Sequence, residues 1–159
     1  MSVTLNTTAG NLKFELYLDT PKATENFLKL AASGYYDNTK FHRNIAGFML
    51  QGGDPTGTGQ GGESIFGGAF ADEFHDQYKH NKRGVLSMAN NGINTNASQF
   101  FILYSSQPHL DNMYTIFGQM VSGWETLDAI EKMPVTGKKC RPVEDIVIQT
   151  ATIHYNPLA

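Results

Sequence analysis

A chain of 159 residues with 40% hydrophobic and 17% charged residues is long enough for one self-sufficient core, without disulfide or metal staples. Its net charge of −3 argues against a broad nucleic-acid footprint, and the short run Lys79–Arg83 reads as a solvated turn. The single Cys140 permits no intrachain disulfide, and neither a secretory leader nor a membrane-length apolar run is visible. A nuclear or cytoplasmic protein that is not secreted is the expectation, with no cofactor, no metal and no membrane partner.

In chain order, residues 2–7 and 11–18 alternate apolar and polar positions around Ala9 and Gly10, predicting an opening hairpin. Thr20 and Pro21 offer an N-cap and a first helical position, and the stripe Ala23, Phe27, Leu30, Ala31 predicts a helix over 21–33 stopped by Gly34. The stretch FHRNIAGFMLQGGD, 41–54, reads as buried sheet interrupted by Arg43 and Gln51, with Asp54 closing it in a turn. Further strands are predicted at 84–89, 99–104, 114–121 and 145–155, and a second helix at 124–133, ended by Pro134. Short strands, glycine turns and two helices point to an antiparallel barrel or sandwich with helical caps, as a single domain spanning 1–159.

Several familiar chemistries fail. Gly57, Gly59 and Gly62 match a dinucleotide-binding pattern, but no helix follows to hold a pyrophosphate, and no P-loop lysine is present. The five histidines show no zinc spacing, and no nucleophile elbow exists. Arg43 by itself reads equally well as a guanidinium paired with a carboxylate distant in sequence. Taken singly, the aromatic residues read as core.

Read together, FHRNIAGFMLQGGDPTGTGQGG (41–62), SMANNGINTNASQFF (87–101) and HLDNMYTIFG (109–118) resemble the cyclophilins, a family of peptidyl-prolyl cis-trans isomerases. The resemblance runs from the first hairpin to about residue 155. It implies a mainly β fold, an eight-stranded antiparallel β-barrel capped by two α-helices. It also implies a catalytic set of Arg43, Phe48, Gln51 and Phe101. Substrate-binding positions carried over by motif are Met49, Gly59, Ala89, Asn90 (through its backbone), Asn91, Gln99, His109, Leu110 and Tyr114.

The departures carry information. His109 stands where the best-known cyclophilins have tryptophan, and Tyr114 where they have histidine, which implies weaker cyclosporin-type binding with isomerase activity retained in altered form. Asn91 and Ile93 replace the commoner alanine and proline, and the small Gly68 and Ala69 imply an open side pocket. The short connection 31–40, with MANNG and QPHLD, resembles the peptidyl-prolyl isomerase-like 3 branch, whose members are associated with the spliceosome. Expected partners are proline-containing peptides and proteins, spliceosomal proteins among them, met by a monomer with no direct nucleic-acid contact. Two functions follow: an X–Pro isomerase, or a proline-segment binding module whose catalysis is incidental.

Overall fold

The computed structural model describes residues 1–154, so the predicted last strand is followed to residue 154 and residue 155 lies outside the described part. Two antiparallel strands, β1 (Ser2–Thr7) and β2 (Gly10–Leu16), form the opening hairpin, followed by helix α1 (Pro21–Ala32). Short strands β3 (Thr39–Lys40), β4 (Arg43–Ile45) and β5 (Met49–Gly52) precede a long irregular connection to β6 (Val85–Met88) and β7 (Phe100–Leu103). A 3-10 turn over Pro108–Leu110 leads to β8 (Ile116–Ser122) and helix α2 (Trp124–Glu131). A small hairpin of β9 (Val135–Thr136) and β10 (Arg141–Pro142) then precedes β11 (Val147–Ile153).

The main sheet has the order β3-β11-β1-β2-β8-β6-β7-β5-β4. Its two edges, β3 and β4, are separated in sequence only by Phe41 and His42. Phe41 donates its N–H to Ile146 on the β11 side, and His42 donates to Gln51 on the β5 side. One bent segment, 39–45, thus supplies both edges, pairing with β11 at one end and β5 at the other, and curls the sheet round. Counted as one strand, it gives the eight strands that the family resemblance implies.

Inside lies the main core, where Phe27 meets Phe100 edge-on at 5.2 Å and packs against Tyr36 and Phe117. Leu50, Leu86 and Ile102, fully buried, point inward from β5, β6 and β7. The alternate residues of those strands are buried as well. Met49, Val85, Phe101 and Leu103 face outward into a second, smaller apolar cluster with Leu110 and Ile116. Burial on both faces is why β6 and β7 read as near-continuous apolar runs rather than as an alternating pattern.

Two local expectations are corrected. Thr20 does not cap α1 with its side chain; its hydroxyl turns inward to Thr24 at 3.2 Å. The N–H groups of Lys22 and Ala23 at the helix start instead donate to the Glu73 carboxylate, at 3.1 and 2.9 Å. The basic run Lys79–Arg83 is more than a solvated turn. His80 is fully buried, and Arg83 pairs with Asp128 at 2.6 Å and Glu131 at 2.7 Å while lying over the Tyr104 ring. Both side chains are recruited by groups far along the chain.

Candidate functional site

The site grows out of strand register. Arg43 lies opposite Gln51 across β4 and β5, Gln51 opposite Phe101 across β5 and β7, and Phe101 opposite Ser87 across β7 and β6. Directly opposed residues share a face, so these four side chains form one row on the outside of the barrel. Two residues along β5 on that same face, Met49 lies between Ile45 and Leu103. The floor is therefore built from strands, and its side chains are positioned by the ladder itself.

A cleft of about 240 Å³ opens over this row, lined by Arg43, Phe48, Met49, Gln51, Gly59, Ala89, Asn90, Asn91, Phe101, Leu110 and Tyr114. Of the residues named from sequence, Gln99 lies in an adjoining compartment of about 120 Å³, shared with Gln51, Gly59, Ala89, Asn90 and Asn91. His109 lines neither compartment; it is exposed at the outer edge, its ring 6.1 Å from that of Phe48. Gly68 and Ala69 are also exposed and outside both linings.

Arg43 is half-buried and forms no ion pair among the described residues. The alternative of a structural guanidinium–carboxylate pair is therefore not realised, and the cation is left facing the cleft. Opposite it, the glutamine pair is oriented by backbone. The Gln99 amide N–H₂ donates to the carbonyls of Gly59 and Gly61 at 3.0 and 2.9 Å. That turns its oxygen toward Gln51, whose Nε2 donates to it at 2.9 Å. The second N–H of the Gln51 amide and its Oε1 have no partner among the described residues.

Asp54, read from sequence only as a turn residue, organises the rim that supplies those two carbonyls. Its buried carboxylate accepts N–H groups from Thr56, Gly59 and Gly61 at 2.8, 2.8 and 3.0 Å, together with the Thr56 hydroxyl at 2.8 Å. Burial raises its pKa, but the hydrogen bonds outweigh that and bring it down to about 2. Gly59 itself adopts a φ of +90°, and an added Cβ would come within 3.2 Å of the buried His42 ring. A side chain there would be strained by that φ and would press the His42 ring aside by a few tenths of an ångström.

Behind Phe101 stands a second unanticipated residue, His80, whose ring is stacked on it at 6.0 Å and 17°. Asp111 accepts from the His80 backbone N–H at 2.7 Å and sits 3.0 Å from Nδ1, while Nε2 lies 3.0 Å from the Ser87 hydroxyl. Burial lowers the His80 pKa, against the pull of Asp111. Tyr114 meets Phe101 edge-on at 5.5 Å. Phe101 thereby packs against two rings. No sequence signal for His80 existed beyond its place in a polar run.

On the far rim, the Asn90 side chain donates to the Met113 carbonyl at 2.9 Å and accepts from the Gly92 N–H at 3.1 Å. Its main-chain N–H and C=O have no partner among the described residues, which leaves them for a ligand. The arrangement thus offers an apolar floor, one unpaired cation and a few main-chain and amide groups. The Ser87 hydroxyl, though hydrogen-bonded to the His80 imidazole, is fully buried and lines neither compartment, so it is not presented to a ligand as a nucleophile. Among the described residues, no group of three or more His, Cys, Asp or Glu could hold a metal ion, and no helix is long and apolar enough to cross a membrane.

Comparison with known proteins adds findings of three kinds. Residues 2–153 match the sequence model of a family described as cyclophilin type peptidyl-prolyl cis-trans isomerase/CLD. The chain is 59% identical over 160 residues to the human peptidyl-prolyl cis-trans isomerase-like 3, covering 100% of this chain and 99% of that protein. It is 60% identical, with the same coverage, to a peptidyl-prolyl cis-trans isomerase of Arabidopsis thaliana. A crystal structure of a cyclophilin type isomerase from Cryptosporidium parvum superposes with a TM-score of 0.94 at 53% identity, covering 98% of each chain. A second structure of that protein, in the presence of the dipeptide Ala-Pro, matches with a TM-score of 0.94 at 52% identity, over 98% of this chain and 100% of that one.

Proposed function

The chain belongs to the cyclophilin-type peptidyl-prolyl cis-trans isomerase family, and from that premise we propose that its cleft accelerates rotation about X–Pro bonds with Arg43 as the principal polar catalyst. The observation that carries this reading is an unpaired guanidinium beside an apolar floor. The Ala-Pro dipeptide used with the Cryptosporidium protein supports proline peptides as ligands here as well.

The physical argument is short. Peptide-bond rotation is opposed by about 18–20 kcal/mol because the nitrogen lone pair is delocalised into the carbonyl. At X–Pro both isomers are populated, yet uncatalysed exchange takes roughly 10–100 s. Twisting the bond localises the lone pair on nitrogen. A donor aimed at that nitrogen stabilises the twisted state above either planar state, and that differential binding is the catalysis. Arg43 is the donor. Phe48, Met49, Phe101 and Leu110 hold the pyrrolidine ring, with Tyr114 bracing Phe101. Gln51, oriented by Gln99, and the main chain of Asn90 anchor the peptide on either side. Gly59, Ala89 and Asn91 shape the passage to the adjoining compartment.

Arg43→Ala tests this directly. Losing a transition-state donor costs about 2.7–4 kcal/mol, a fall of roughly 10²–10³ in kcat/KM. Two-dimensional exchange NMR on an X–Pro peptide reads it, with circular dichroism checking the fold. A loss below about threefold in a folded variant assigns Arg43 to structure, since removing a true donor costs roughly a hundredfold or more.

A finer reading places the activity on proline bonds of spliceosomal proteins. It rests on the resemblance to the isomerase-like 3 branch. A docking role in such an assembly, with incidental catalysis, is favoured by one observation. The edge beside Phe48 is bounded by the exposed His109 imidazole, which offers less apolar wall than a larger ring. Exchange NMR at saturating protein separates the two, because a pure docking module leaves the peptide's exchange rate unchanged.

A further inference from the structure

The β9–β10 hairpin stands outside the main sheet, and the mechanism above leaves it unused. Its turn carries Lys138, Lys139 and Cys140, followed by Arg141, and all three cations are exposed. The hairpin is fastened to the cleft at two points. The Cys140 carbonyl accepts the N–H of Asn44, the neighbour of Arg43, at 2.9 Å. The Arg141 guanidinium donates to the Gly57 carbonyl at 2.5 Å, in the loop whose Gly59 lines the cleft. It therefore borders the rim from β4 to the glycine-rich loop. Through these two contacts the cations of the hairpin are held on the Arg43 side of the cleft rim.

The carboxylates on that side offset them only in part. Asp54 is buried beneath its own ring of N–H and O–H donors. Asp145 pairs with Lys40 at 3.0 Å. Glu144 is exposed and pairs with nothing among the described residues, nor do Arg43, Lys138, Lys139 and Arg141. Four cations without an ion pair, set against the carboxylates of Asp54 and Glu144, leave a net positive charge beside the cleft, in a chain whose net charge is −3. Such a field selects among peptides by what flanks the proline.

Resting on the reading that the cleft accepts X–Pro peptides, we propose that Lys138, Lys139 and Arg141 form a specificity rim that favours substrates with acidic side chains flanking the proline on the Arg43 side. Asn44 and Gly57 hold the hairpin by its backbone carbonyl and its arginine. The two lysines at its tip are free to meet a carboxylate without disturbing the floor.

Three peptides with one common X–Pro core test the rim: neutral flanks, a Glu triad before the core, and a Glu triad after it. Affinity is read by chemical-shift titration and turnover by exchange NMR, at low and at high salt. One of the two acidic peptides is expected to bind roughly three- to tenfold better than the neutral one, as three exposed ion pairs would give. Salt should erase that advantage, and the ratio should fall to about one in the Lys138→Glu/Lys139→Glu double variant, in agreement with loss of those pairs. Equal affinity for all three peptides at low salt, or an acidic advantage that survives in the double variant, overturns the proposal. Binding that prefers the acidic peptide without accelerated exchange would retain the rim and reject the isomerase reading. Turnover without an acidic preference would do the reverse.

Discussion

Replacing Asp54 with asparagine tests whether one buried carboxylate holds the rim that orients the glutamine pair. The side chain is fully buried, and the Thr58 hydroxyl, at 3.4 Å, completes a set of five donors with those of Thr56, Gly59 and Gly61. Its pKa of about 2 in the folded protein compares with ~3.9 for an unfolded aspartate, a difference worth about 2.6 kcal/mol. The folded value lies below the unfolded one. The stabilisation is therefore complete above the unfolded pKa and is lost as pH falls toward about 2. Asparagine keeps one acceptor but turns an N–H₂ toward N–H donors, leaving some of them unpaired. Asp54→Asn should unfold in urea at neutral pH with about 2–3 kcal/mol less stability than the parent chain. That gap should close on acidification from about pH 5 to pH 2. Because Gly59 and Gly61 orient Gln99, and Gln99 orients Gln51, KM for an X–Pro peptide should rise more than kcat falls. A gap below about 0.5 kcal/mol at neutral pH, within the range of an ordinary surface substitution, would refute the argument. So would a gap that does not change with pH.

Glu73→Ala removes the carboxylate that accepts the Lys22 and Ala23 N–H groups at the start of α1. Urea denaturation should show a loss of about 0.5–2 kcal/mol, the usual cost of a lost cap, whereas an unchanged midpoint would leave α1 capped by solvent. His109→Trp enlarges the aromatic wall beside Phe48. Calorimetry should show a cyclosporin-type ligand binding about two- to tenfold tighter, the value of one added aromatic contact. Equal or weaker binding would place that ligand elsewhere.

The parts visible in the sequence are those set by local pattern. The opening hairpin alternates over enough residues to announce itself, and α1 carries a stripe that no strand would. Residues that owe their roles to distant partners were not visible. His80 sits in a polar run, and its burial is decided by Asp111 and by the Phe101 ring. Glu73 caps a helix some fifty residues earlier in the chain. Asp54 looks like any turn aspartate until its loop folds back over it. The β9–β10 strands have two residues each, too few for alternation to register. At the cleft the motifs named most of the residues that line it, but the common row of Arg43, Gln51 and Phe101 is a fact of strand register.

That register also explains how the work of the site is divided. Outward-facing positions of a barrel usually meet water. Here Met49, Phe101 and Leu103 are covered by Leu110 and Ile116 and become a second core, with the cleft at its margin. A floor made of strand residues has few rotamer choices, which suits holding a proline ring while one bond turns. Its members also carry fold stability, so changes at Met49 or Phe101 should lower stability and turnover together. The rim is different in kind. The glycine loop, the Asn90 segment and the β9–β10 turn are held by hydrogen bonds between loops rather than by apolar burial. Changes at their exposed tips can redirect which peptides are accepted while the barrel beneath stays as it is. Selectivity can therefore vary at Asn91, His109, Lys138 and Lys139 without the floor having to be rebuilt.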